Sequence, residues 1–405
     1  MGEEMQVKNE PRKLLVLGAP EFQKPILKKA KTLGCVTAVI DINDDAPAAP
    51  FADIFYQCSI VDKGRVLEIA KEFAPDAVIS GACDTSVNTV AWLCDELGLS
   101  GNSVEAARNA TDKVEMLKSF GRAGVPHPAY QVVSKSDINA FQLKVDFPLI
   151  VKPTDSAGGR GVNLVCSPDQ MESALQLSSE AGVSGDVLIE EFMEGTEVSV
   201  EVIVADGVPH VLQVTDKLTS GAPNFYEIGH SQPTMLAGDV RQAVADLASE
   251  AVLAVGLVNS AAHVEIMVTQ DGPKMIELGA RMGGDCISTH LVDNSVVGID
   301  MAEAMIRLSF GEHLEVWDYR DSGAYCAVRF LPSRAGRLIG LRGVDAARKI
   351  PGIVCLEVTG RIGRKYSDAV DDSSRFAYVV GRAHSLAAAN EICDRALSSL
   401  EVVLE

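Results

Sequence analysis

The sequence lacks a long apolar run, an ordered cysteine pattern and a signal-like start, and each absence excludes a class of protein. No apolar stretch approaches the roughly 18 to 20 residues that cross a bilayer, and residues 1–13 are charged and polar. The nine cysteines include no CxxC pair, and an odd number leaves no complete disulfide framework. We therefore expect a cytoplasmic protein with reduced thiols and no membrane contact.

Positive charge is also scarce. The chain has 36 Lys and Arg against 56 Asp and Glu, which gives a net charge of −20. Such a chain repels nucleic acid and anionic lipid, so neither is an expected partner. Any phosphate must be held by local groups. The 405 residues are 47% apolar, enough for about two to four domains with their own cores.

Two common nucleotide-binding motifs are missing as well. The first predicted strand ends in the turn Gly18-Ala19-Pro20, but no GxGxxG follows it, so a dinucleotide site is unsupported. The pattern GxxxxGK[ST] does not occur, which excludes a Walker A loop.

Alternation of short apolar runs with amphipathic stretches in the N-terminal third predicts βαβ units and a parallel sheet. Gly124-Val125-Pro126 then interrupts a helical pattern and marks a boundary. Residues 148–204 indicate a strand, a Gly-rich loop, a strand, a helix and two strands. The polar stretch 219–233 is typical of a mobile or ligand-facing loop.

The predicted fold class is therefore α/β and α+β in three parts. An N-terminal parallel-sheet domain spans 1–111, and a central domain with a small lid lobe at about 125–193 spans 112–318. The remainder, 319–405, returns to strands, closes with a helix and is expected to be an appended α+β segment.

The most informative segment is the predicted hairpin Ala262–Arg281. Burying the apolar faces of both strands together requires pairs whose residue numbers have the same parity. A three-residue loop satisfies this, and it puts Glu265 opposite Gly279 with Glu277 as the diagonal neighbour. The two carboxylates then converge beside Arg281. A hard cation such as magnesium would relieve their repulsion, although a solvated strand face paired with the arginine also fits.

Two further segments carry weaker signals. Glycines after the strand that ends at Lys152 let backbone N–H groups approach an anion, although an ordinary hairpin turn fits as well. Downstream, a strand end and linker at 188–195 offer backbone groups that suit a flat heterocycle. The next strand carries Glu197 and Glu201 on its polar face, and taken alone these are solvated carboxylates.

The order of these features resembles the ATP-grasp superfamily over roughly 111–310. The matching succession is a helix starting at Thr111-Asp112-Lys113, Lys152 before a Gly-rich hairpin, Glu190–Gly195, and the Glu265…Glu277-x-x-x-Arg281 hairpin. The segment before it is similar to the domain that precedes the ATP-grasp domain in these proteins. The resemblance implies ATP and Mg²⁺, with Mn²⁺ as an alternative ion, and a homodimer formed through the N-terminal domain.

The resemblance also implies which residues hold the nucleotide. The phosphates would contact two lysines beneath a glycine lid, namely Lys113, Lys152, Gly158, Gly159 and Gly161. Glu190 would accept a hydrogen bond from the adenine amino group, and Phe192 and Met193 would frame the ring. Glu197 would bind the ribose hydroxyls.

The hairpin would then bind the metal through Glu265 and Glu277, while Arg281 stabilises the transferred phosphoryl group. The usual third ligand of the family is an Asn two residues after the second Glu. Gly279 stands at that position here, so one ion would be bound more weakly or completed by water or substrate.

Within the superfamily, residues 277–285, the loop 226–233 and Arg329 are most similar to the dipeptide-forming amino acid ligases. Such enzymes join a carboxylate to an amine through an acyl phosphate and release ADP and phosphate. Arg329 would stabilise the oxyanion or anchor a carboxylate, with a surface salt bridge as the alternative. His230 would be the base and Glu227 would anchor the ammonium group. Gly283 and Gly284 would line the substrate site.

Two other functions remain open from the sequence. A carboxylase similar to biotin carboxylase shares the appended tail, although no Met-Lys-Met biotin attachment sequence is present. A nucleotide-binding regulator without turnover is the other alternative. The paired glutamates, both lysines and Arg281 argue against it, because a pure binder has less need of groups that act in a transition state.

Overall fold

The computed structural model describes residues 10–138, 140–156, 159–221, 226–314, 318–371 and 374–405. Within these ranges no helix is long and apolar enough to cross a membrane. Each of the nine cysteines lies in a described range and is a free thiol.

A four-stranded parallel sheet forms the first layer, in the order β3-β2-β1-β4 once its strands are numbered along the chain. The strands are β1 (Lys13–Leu17), β2 (Val36–Asp41), β3 (Ile54–Gln57) and β4 (Ala77–Ile79). Helices are α1 (Lys24–Thr32), α2 (Lys63–Phe73), α3 (Val87–Leu97) and α4 (Val104–Asn109). Apolar clusters lie on both faces of this sheet, as a parallel sheet requires. The predicted N-terminal parallel sheet is confirmed.

A lid lobe with a four-stranded antiparallel sheet follows. Helix α5 (Lys113–Ala123) leads into it, and the side chain of Asp112 caps this helix by accepting hydrogen bonds from the N–H groups of Val114 and Glu115. The cap makes Lys113 the first residue of the helix. The lobe contains β5 (Tyr130–Val133), β6 (Leu149–Pro153), β7 (Asn163–Val165), α6 (Met171–Ala181) and β8 (Val187–Glu191), with sheet order β5-β8-β6-β7.

The rest of the chain builds a large antiparallel sheet and its surroundings. The central strands are β9 (Thr196–Ala205), β10 (Val208–Thr219), β11 (Glu227–Gln232), β12 (Ser260–Thr269) and β13 (Gly272–Gly279). Strand β14 (Val296–Val297) lies before the tail and pairs with its first strand, β15 (Arg320–Asp321). The other strands of the tail are β16 (Tyr325–Pro332), β17 (Gly336–Arg342), β18 (Ile353–Val358), β19 (Lys365–Tyr366), β20 (Arg375–Ala383) and β21 (Glu401–Leu404).

The helices of this part are α7 (Gly238–Ala254), a π-helical turn (Ile287–Leu291), α8 (Val292–Ser295), α9 (Met301–Ser309), α10 (Val344–Ala347) and α11 (Leu386–Ser398). The eight-stranded sheet has the order β13-β12-β9-β10-β11-β16-β20-β18. Three strands of the tail therefore extend the central sheet.

The polar stretch 219–233 is not a loop throughout, which corrects the sequence-based expectation. Residues 227–232 form β11, which pairs with β10 on one side and β16 on the other. The polar side chain of Gln232 is fully buried. Its amide group is satisfied there, because it donates to Thr215 Oγ1 (2.8 Å) and accepts from Ser295 Oγ (2.7 Å). Partners distant in sequence thus stabilise a strand that its own composition does not indicate.

The predicted register of the β12–β13 hairpin is also wrong. The loop contains two residues, and Glu265 pairs directly with Glu277 rather than with Gly279. A β-bulge follows, since Ile266 pairs with Met275. Because of the bulge, Met275 is buried in the core while Ile276 turns with Glu277 towards a cavity.

Gly195, in the turn between β8 and β9, leaves no room for a side chain. A Cβ at this position would collide with the backbone carbonyl of Val268 in β12. We expect Gly195→Ala to lower the free energy of unfolding by about 1 to 3 kcal/mol, as overpacking does. Urea unfolding measures this. Gly238→Ala is the matched control, because a Cβ there meets open space at the start of α7. Equal stability of the two variants would contradict the close approach at Gly195.

Candidate active site

A cavity of about 440 Å³ lies where the lid lobe, the large sheet and the N-terminal layer meet. Most of the residues predicted from the sequence line it, namely Lys113, Lys152, Gly159, Glu190, Phe192, Met193, Glu197, Glu227, Glu265, Glu277, Arg281 and Gly284. Segments far apart in the chain are therefore brought to one place.

The lid end of the cavity contains a buried ion pair. Lys152 Nζ donates to Glu190 Oε2 at 2.6 Å, and both side chains are buried. Burial by itself lowers the pKa of Lys152, but Glu190 and Glu277 together keep it above its ordinary value. Among the described residues, Oε1 of Glu190 has no hydrogen-bond partner although it is buried. An orphaned acceptor that lines a cavity suits a ligand with an N–H donor.

At the opposite end, the two hairpin glutamates are each paired with a lysine. Lys113 Nζ donates to Glu277 Oε1 at 2.5 Å, from the first turn of α5. Lys217 Nζ lies 3.1 Å from Glu265 Oε1. Burial raises the pKa of Glu265, but Lys217 and His263 hold it well below its usual range.

Lys217 is a site residue that the sequence reasoning missed. Its buried Nζ also contacts Glu197 Oε1 at 2.6 Å and Glu227 Oε1 at 2.9 Å. Burial lowers the pKa of Lys217, yet the three surrounding glutamates raise it well above its ordinary value. A lone lysine in the strand Val208–Thr219 was the available signal, but its acidic neighbours lie on three other segments.

Asp84 is the second missed residue, and it comes from the N-terminal layer. It begins a short 3₁₀ turn after β4, and its Oδ1 accepts from Arg281 Nε at 2.6 Å. Burial raises the pKa of Asp84, whereas Arg281 holds it below its usual range. The signal was its place beyond the carboxyl end of a parallel strand, where such sheets bind ligands.

A second row of side chains supports Glu265. The fully buried Glu201 accepts from His263 Nδ1 (2.5 Å), Ser288 Oγ (2.6 Å) and the N–H of Gly283 (2.9 Å). His263 Nε2 lies 3.4 Å from Glu265 Oε1. Burial opposes the charged imidazole, but Glu201 raises the pKa of His263 to about 9. The structure places Gly283 in this row rather than on the cavity wall, and a Cβ there would collide with Glu201.

Three other predicted residues fall outside the cavity lining or the described chain. Gly158 lies outside the described residues. Gly161 has a positive φ of 75°, and a Cβ there would lie 2.6 Å from that of Ala181. His230 is fully buried behind the lining, with Nε2 3.0 Å from Glu227 Oε2. Its expected role as a base stays a prediction that would act through Glu227.

Arg329 is placed on the other face of the sheet. Its Nη2 donates to Asn390 Oδ1 at 2.7 Å, and Nε lies 3.7 Å from Asp394, both on α11. The described lining of the cavity does not include it. Its expected part in catalysis stays a prediction, and these contacts do not support it.

A different arginine, Arg375, lies behind the cavity residues Glu227 and Asp285. Arg375 Nη1 donates to Asp285 Oδ1 at 2.6 Å, and Nη2 donates to the carbonyl of Glu227 at 3.1 Å. Glu227, His230 and Asp285 offer ligand atoms within 4.8 Å of one another. Lys217 contacts Glu227 and Arg375 contacts Asp285, so both carboxylates of this trio have a cationic partner, as Glu265 and Glu277 do. The carboxylate oxygens of Glu265 and Glu277 are of the kind that a hard cation prefers.

Models of known families match two segments of the chain. Residues 145–289 match the ATP-grasp domain, and residues 329–405 match the L-amino acid ligase C-terminal domain 2. The chain contains an ATP-grasp domain and an L-amino acid ligase C-terminal domain. The ATP-grasp domain and the likeness to the amino acid ligases that the order of the motifs predicts are therefore confirmed at the level of these two domains.

The sequence of the chain is similar to the sequences of several ligases. It is 28% identical to alanine–anticapsin ligase of Bacillus subtilis (strain 168) over 281 residues. The aligned region covers 63% of this chain and 58% of that protein. Human carnosine synthase 1 is 27% identical over 333 residues, or 75% of this chain and 40% of that protein. The chain thus spans 58% or less of the length of these two ligases.

The fold is shared with a solved structure. The crystal structure of an L-amino acid ligase from Bacillus licheniformis superposes with a TM-score of 0.85 over 97% of this chain and 99% of that chain, at 20% identity. The predicted fold class is confirmed by this likeness, which at such identity concerns the fold alone.

The Glu201–His263 pair predicts a pH dependence of stability. The folded protein retains a proton on His263 up to a pKa of about 9, whereas the unfolded chain releases it near 6.5. This stabilisation is complete below pH 6.5 and is lost as the pH rises through 9. We expect the unfolding free energy of wild type to fall by up to about 3 kcal/mol as the pH rises through this range. Glu201→Gln should not show this fall. Urea unfolding at several pH values measures it, with Glu96→Gln on the exposed side of α3 as the control. An unchanged slope in Glu201→Gln would refute the charged pair.

Proposed function

We propose that the chain is an ATP- and magnesium-dependent ligase. It would form an amide or peptide bond between a carboxylate, in the first instance an amino acid, and an amine, and it would release ADP and phosphate. The observation that carries the proposal is one cavity that gathers two lysines, an orphaned buried acceptor on Glu190 and two directly opposed glutamates. The L-amino acid ligase C-terminal domain supports a ligase over a carboxylase.

The proposed nucleotide site follows the lining. Lys113 and Lys152 would bind the phosphates beneath Gly159, and Glu190 would accept from the adenine amino group through Oε1. Glu197, already paired with Lys217 at 2.6 Å, would bind the ribose hydroxyls. Glu265 and Glu277 would hold magnesium, or manganese in its place, and the bound ion would offset the charge of the phosphate oxygens.

The reaction then needs two displacements. A carboxylate oxygen attacks the γ-phosphorus while the bond to the β-phosphate oxygen breaks, which gives an acyl phosphate and ADP. The amine nitrogen next attacks the acyl carbon, phosphate leaves, and a proton passes from nitrogen to a base. Arg281 lines the cavity, donates to Asp84, and would stabilise the transferred phosphoryl group.

Glu227 is the cavity residue best placed for the amine. Glu227 would anchor the ammonium group, and His230, whose Nε2 lies 3.0 Å from Glu227 Oε2, would be the base. Burial raises the pKa of Glu227, but Lys217 and His230 hold it well below its usual range, so its carboxylate is charged and suited to a cation. Gly284 has open space beside its Cα and would leave room for substrate.

The cellular location, the oligomeric state and the domain limits are also proposed. Nine free thiols support a reducing cytoplasm. The homodimer rests on the resemblance, and light scattering of the purified protein tests it. The limits 1–111, 112–318 and 319–405 are proposed as sequence units. β16, β20 and β18 extend the central sheet across the last limit, so the third unit is not expected to fold alone.

A phosphate-release screen tests the proposed reaction. Purified protein is incubated with ATP, magnesium and amino acids, singly and in pairs, and mass spectrometry identifies products. A condensation product with stoichiometric ADP and phosphate supports the ligase. Turnover that needs bicarbonate and biotin, without amino acids, would replace it by a carboxylase. Nucleotide binding without turnover under every condition would indicate a regulator.

Glu277 tests the metal assignment. We expect Glu277→Ala to abolish magnesium-dependent ADP formation, because a carboxylate opposite Glu265 is lost from the proposed ion site. ADP release is measured over a range of magnesium concentrations, and circular dichroism checks that the fold is retained. Glu96→Ala, on the exposed side of α3, is the control. Normal activity of Glu277→Ala at ordinary magnesium would remove this residue from the site.

The two arginines give a matched comparison. Arg281→Ala should lower turnover by about 100-fold to 1,000-fold, the range for losing one preorganised donor. Arg329→Ala should stay within about threefold of wild type, because its guanidinium contacts α11 on the other face of the sheet. Initial rates at saturating ATP measure both. A 100-fold loss in Arg329→Ala would instead support the role expected from the sequence.

A further inference from the structure

Arg375 is a mostly buried cation of the tail that reaches into the ATP-grasp domain. It is the first residue of β20, and its side chain is 11% exposed. The L-amino acid ligase C-terminal domain 2 includes it, whereas its partners Asp285 and Glu227 lie in the matched ATP-grasp domain. Both partners line the cavity, and Arg375 lies behind them. One side chain of the tail thus contacts two residues of the cavity wall.

The guanidinium of Arg375 makes three contacts at once. Nη1 donates to Asp285 Oδ1 at 2.6 Å, and Nη2 donates to the carbonyl of Glu227 at 3.1 Å. Its Cζ lies 3.6 Å from the ring centroid of Phe330 in β16. A planar, forked cation can bind two acceptors and stack on a ring together, which a lysine ammonium cannot do. The position of Asp285 relative to Glu227 therefore depends on Arg375.

The backbone of Asp285 is strained and needs contacts that hold it. Asp285 and Cys286 have φ angles of 50° and 67°, in the left-handed region that favours glycine. Such residues persist only where their surroundings fix them. The N–H of Gly283 donates to Glu201 of β9 at 2.9 Å, and Arg375 holds the side chain of Asp285. This turn is thus fixed from the central sheet on one side and from the tail on the other.

Charge balance gives Arg375 a second task. Ligand atoms of Glu227, His230 and Asp285 lie within 4.8 Å of one another. Two carboxylates at such a separation repel each other, and a cation beside each one offsets the repulsion. Lys217 contacts Glu227 at 2.9 Å, and Arg375 contacts Asp285. Without Arg375, the charge of Asp285 would act on Glu227 and on its lysine.

The ring beneath Arg375 also contacts His230. The rings of Phe330 and His230 meet edge to face, with their centroids 6.0 Å apart and an interplanar angle of 78°. His230 Nε2 lies 3.0 Å from Glu227 Oε2. Arg375 therefore supports Glu227 through its backbone carbonyl and, by way of Phe330, supports the histidine that contacts its carboxylate.

We propose that Arg375 is a positioning residue for the second displacement, through which the tail holds Glu227 and Asp285 in the arrangement that receives the amine. This inference rests on the proposed function, because it takes Glu227 as the anchor of the ammonium group. The lysines proposed to bind the phosphates are held by other carboxylates of the cavity. Arg375 therefore affects the capture of the acyl phosphate by the amine and not the formation of the acyl phosphate.

Hydroxylamine separates the two displacements. It is a small neutral nucleophile that needs no ammonium anchor. Its nitrogen attacks the acyl carbon, phosphate leaves, and the nitrogen gives up a proton, so that a hydroxamate forms. Hydroxamate formation from ATP and a saturating carboxylate substrate reports the first displacement. Condensation with an L-amino acid that wild type accepts as the amine in the phosphate-release screen reports both.

We expect Arg375→Gln to raise the KM for the amine at least about tenfold, which corresponds to the loss of a hydrogen bond to a charged group. The rate of hydroxamate formation should stay within about threefold of wild type. Arg382→Gln is the matched control, an exposed arginine in the same strand. Arg375→Lys keeps the charge but not the fork, so it should raise the KM by a smaller factor. Thermal unfolding checks that each variant is folded.

A double variant distinguishes positioning from a general loss of stability. Asp285→Asn/Arg375→Gln removes both charges of the pair, so Glu227 no longer faces a second carboxylate. We expect its KM for the amine to be lower than that of Arg375→Gln, because the repulsion is gone. If Arg375 only stabilised the fold, the second substitution would bring no such recovery.

The outcomes separate this inference from the proposed function. Wild-type protein that forms no condensation product would overturn the proposed function and this inference with it. An unchanged KM for the amine in folded Arg375→Gln, or in Arg375→Lys should the first variant fail to fold, would overturn the inference alone. Equal losses of hydroxamate and of condensation product would also overturn it, since Arg375 would then support the site as a whole.

Discussion

Repulsion among buried carboxylates is the constraint on which the rest of the site depends. Glu265 and Glu277 face each other directly across two strands, where opposed side chains lie about 4.5 to 5.5 Å apart at Cβ. Both glutamates are half-buried, and a cation beside each one offsets the repulsion between their charges. Lys217 and Lys113 meet this need from β10 and α5. The strand and helix must therefore be held in place for the hairpin to be stable.

The same constraint explains why the N-terminal layer contacts the ATP-grasp domain where it does. Arg281 adds a buried positive charge at the end of the hairpin, and Asp84 is the carboxylate that pairs with it. The hydrogen bond from the N–H of Met282 to the carbonyl of Gly81 holds the end of the hairpin beside the segment that follows β4. Ligands of parallel sheets bind beyond the carboxyl ends of the strands, and here that end faces the cavity through a charged contact.

Local patterns in the sequence predicted the elements but not their pairing. The N-terminal strands and helices followed from periodicity, and the hairpin was located correctly. Its register was not, because Met275 and Ile276 are equally apolar and alternation cannot show which one the bulge sends to the core. β11 was missed for a related reason, since the burial of Gln232 depends on Thr215 and Ser295. Lys217 and Asp84 likewise acquire their meaning only from residues distant in the chain.

Charge balance also bears on how a nucleotide enters the cavity in the proposed reaction. The lysines that bind Glu265 and Glu277 are cations of the kind that phosphates require. A glutamate that loses its lysine to a phosphate is left unpaired beside the other carboxylates of the cavity. A nucleotide that arrives alone adds negative charge to a cavity already rich in carboxylates. Glu265 and Glu277 would hold an ion that offsets part of the negative charge of the nucleotide. In the proposed reaction, the acidic lining would therefore favour the metal complex of ATP over the free nucleotide, and the ion would serve binding as well as the transfer of phosphate.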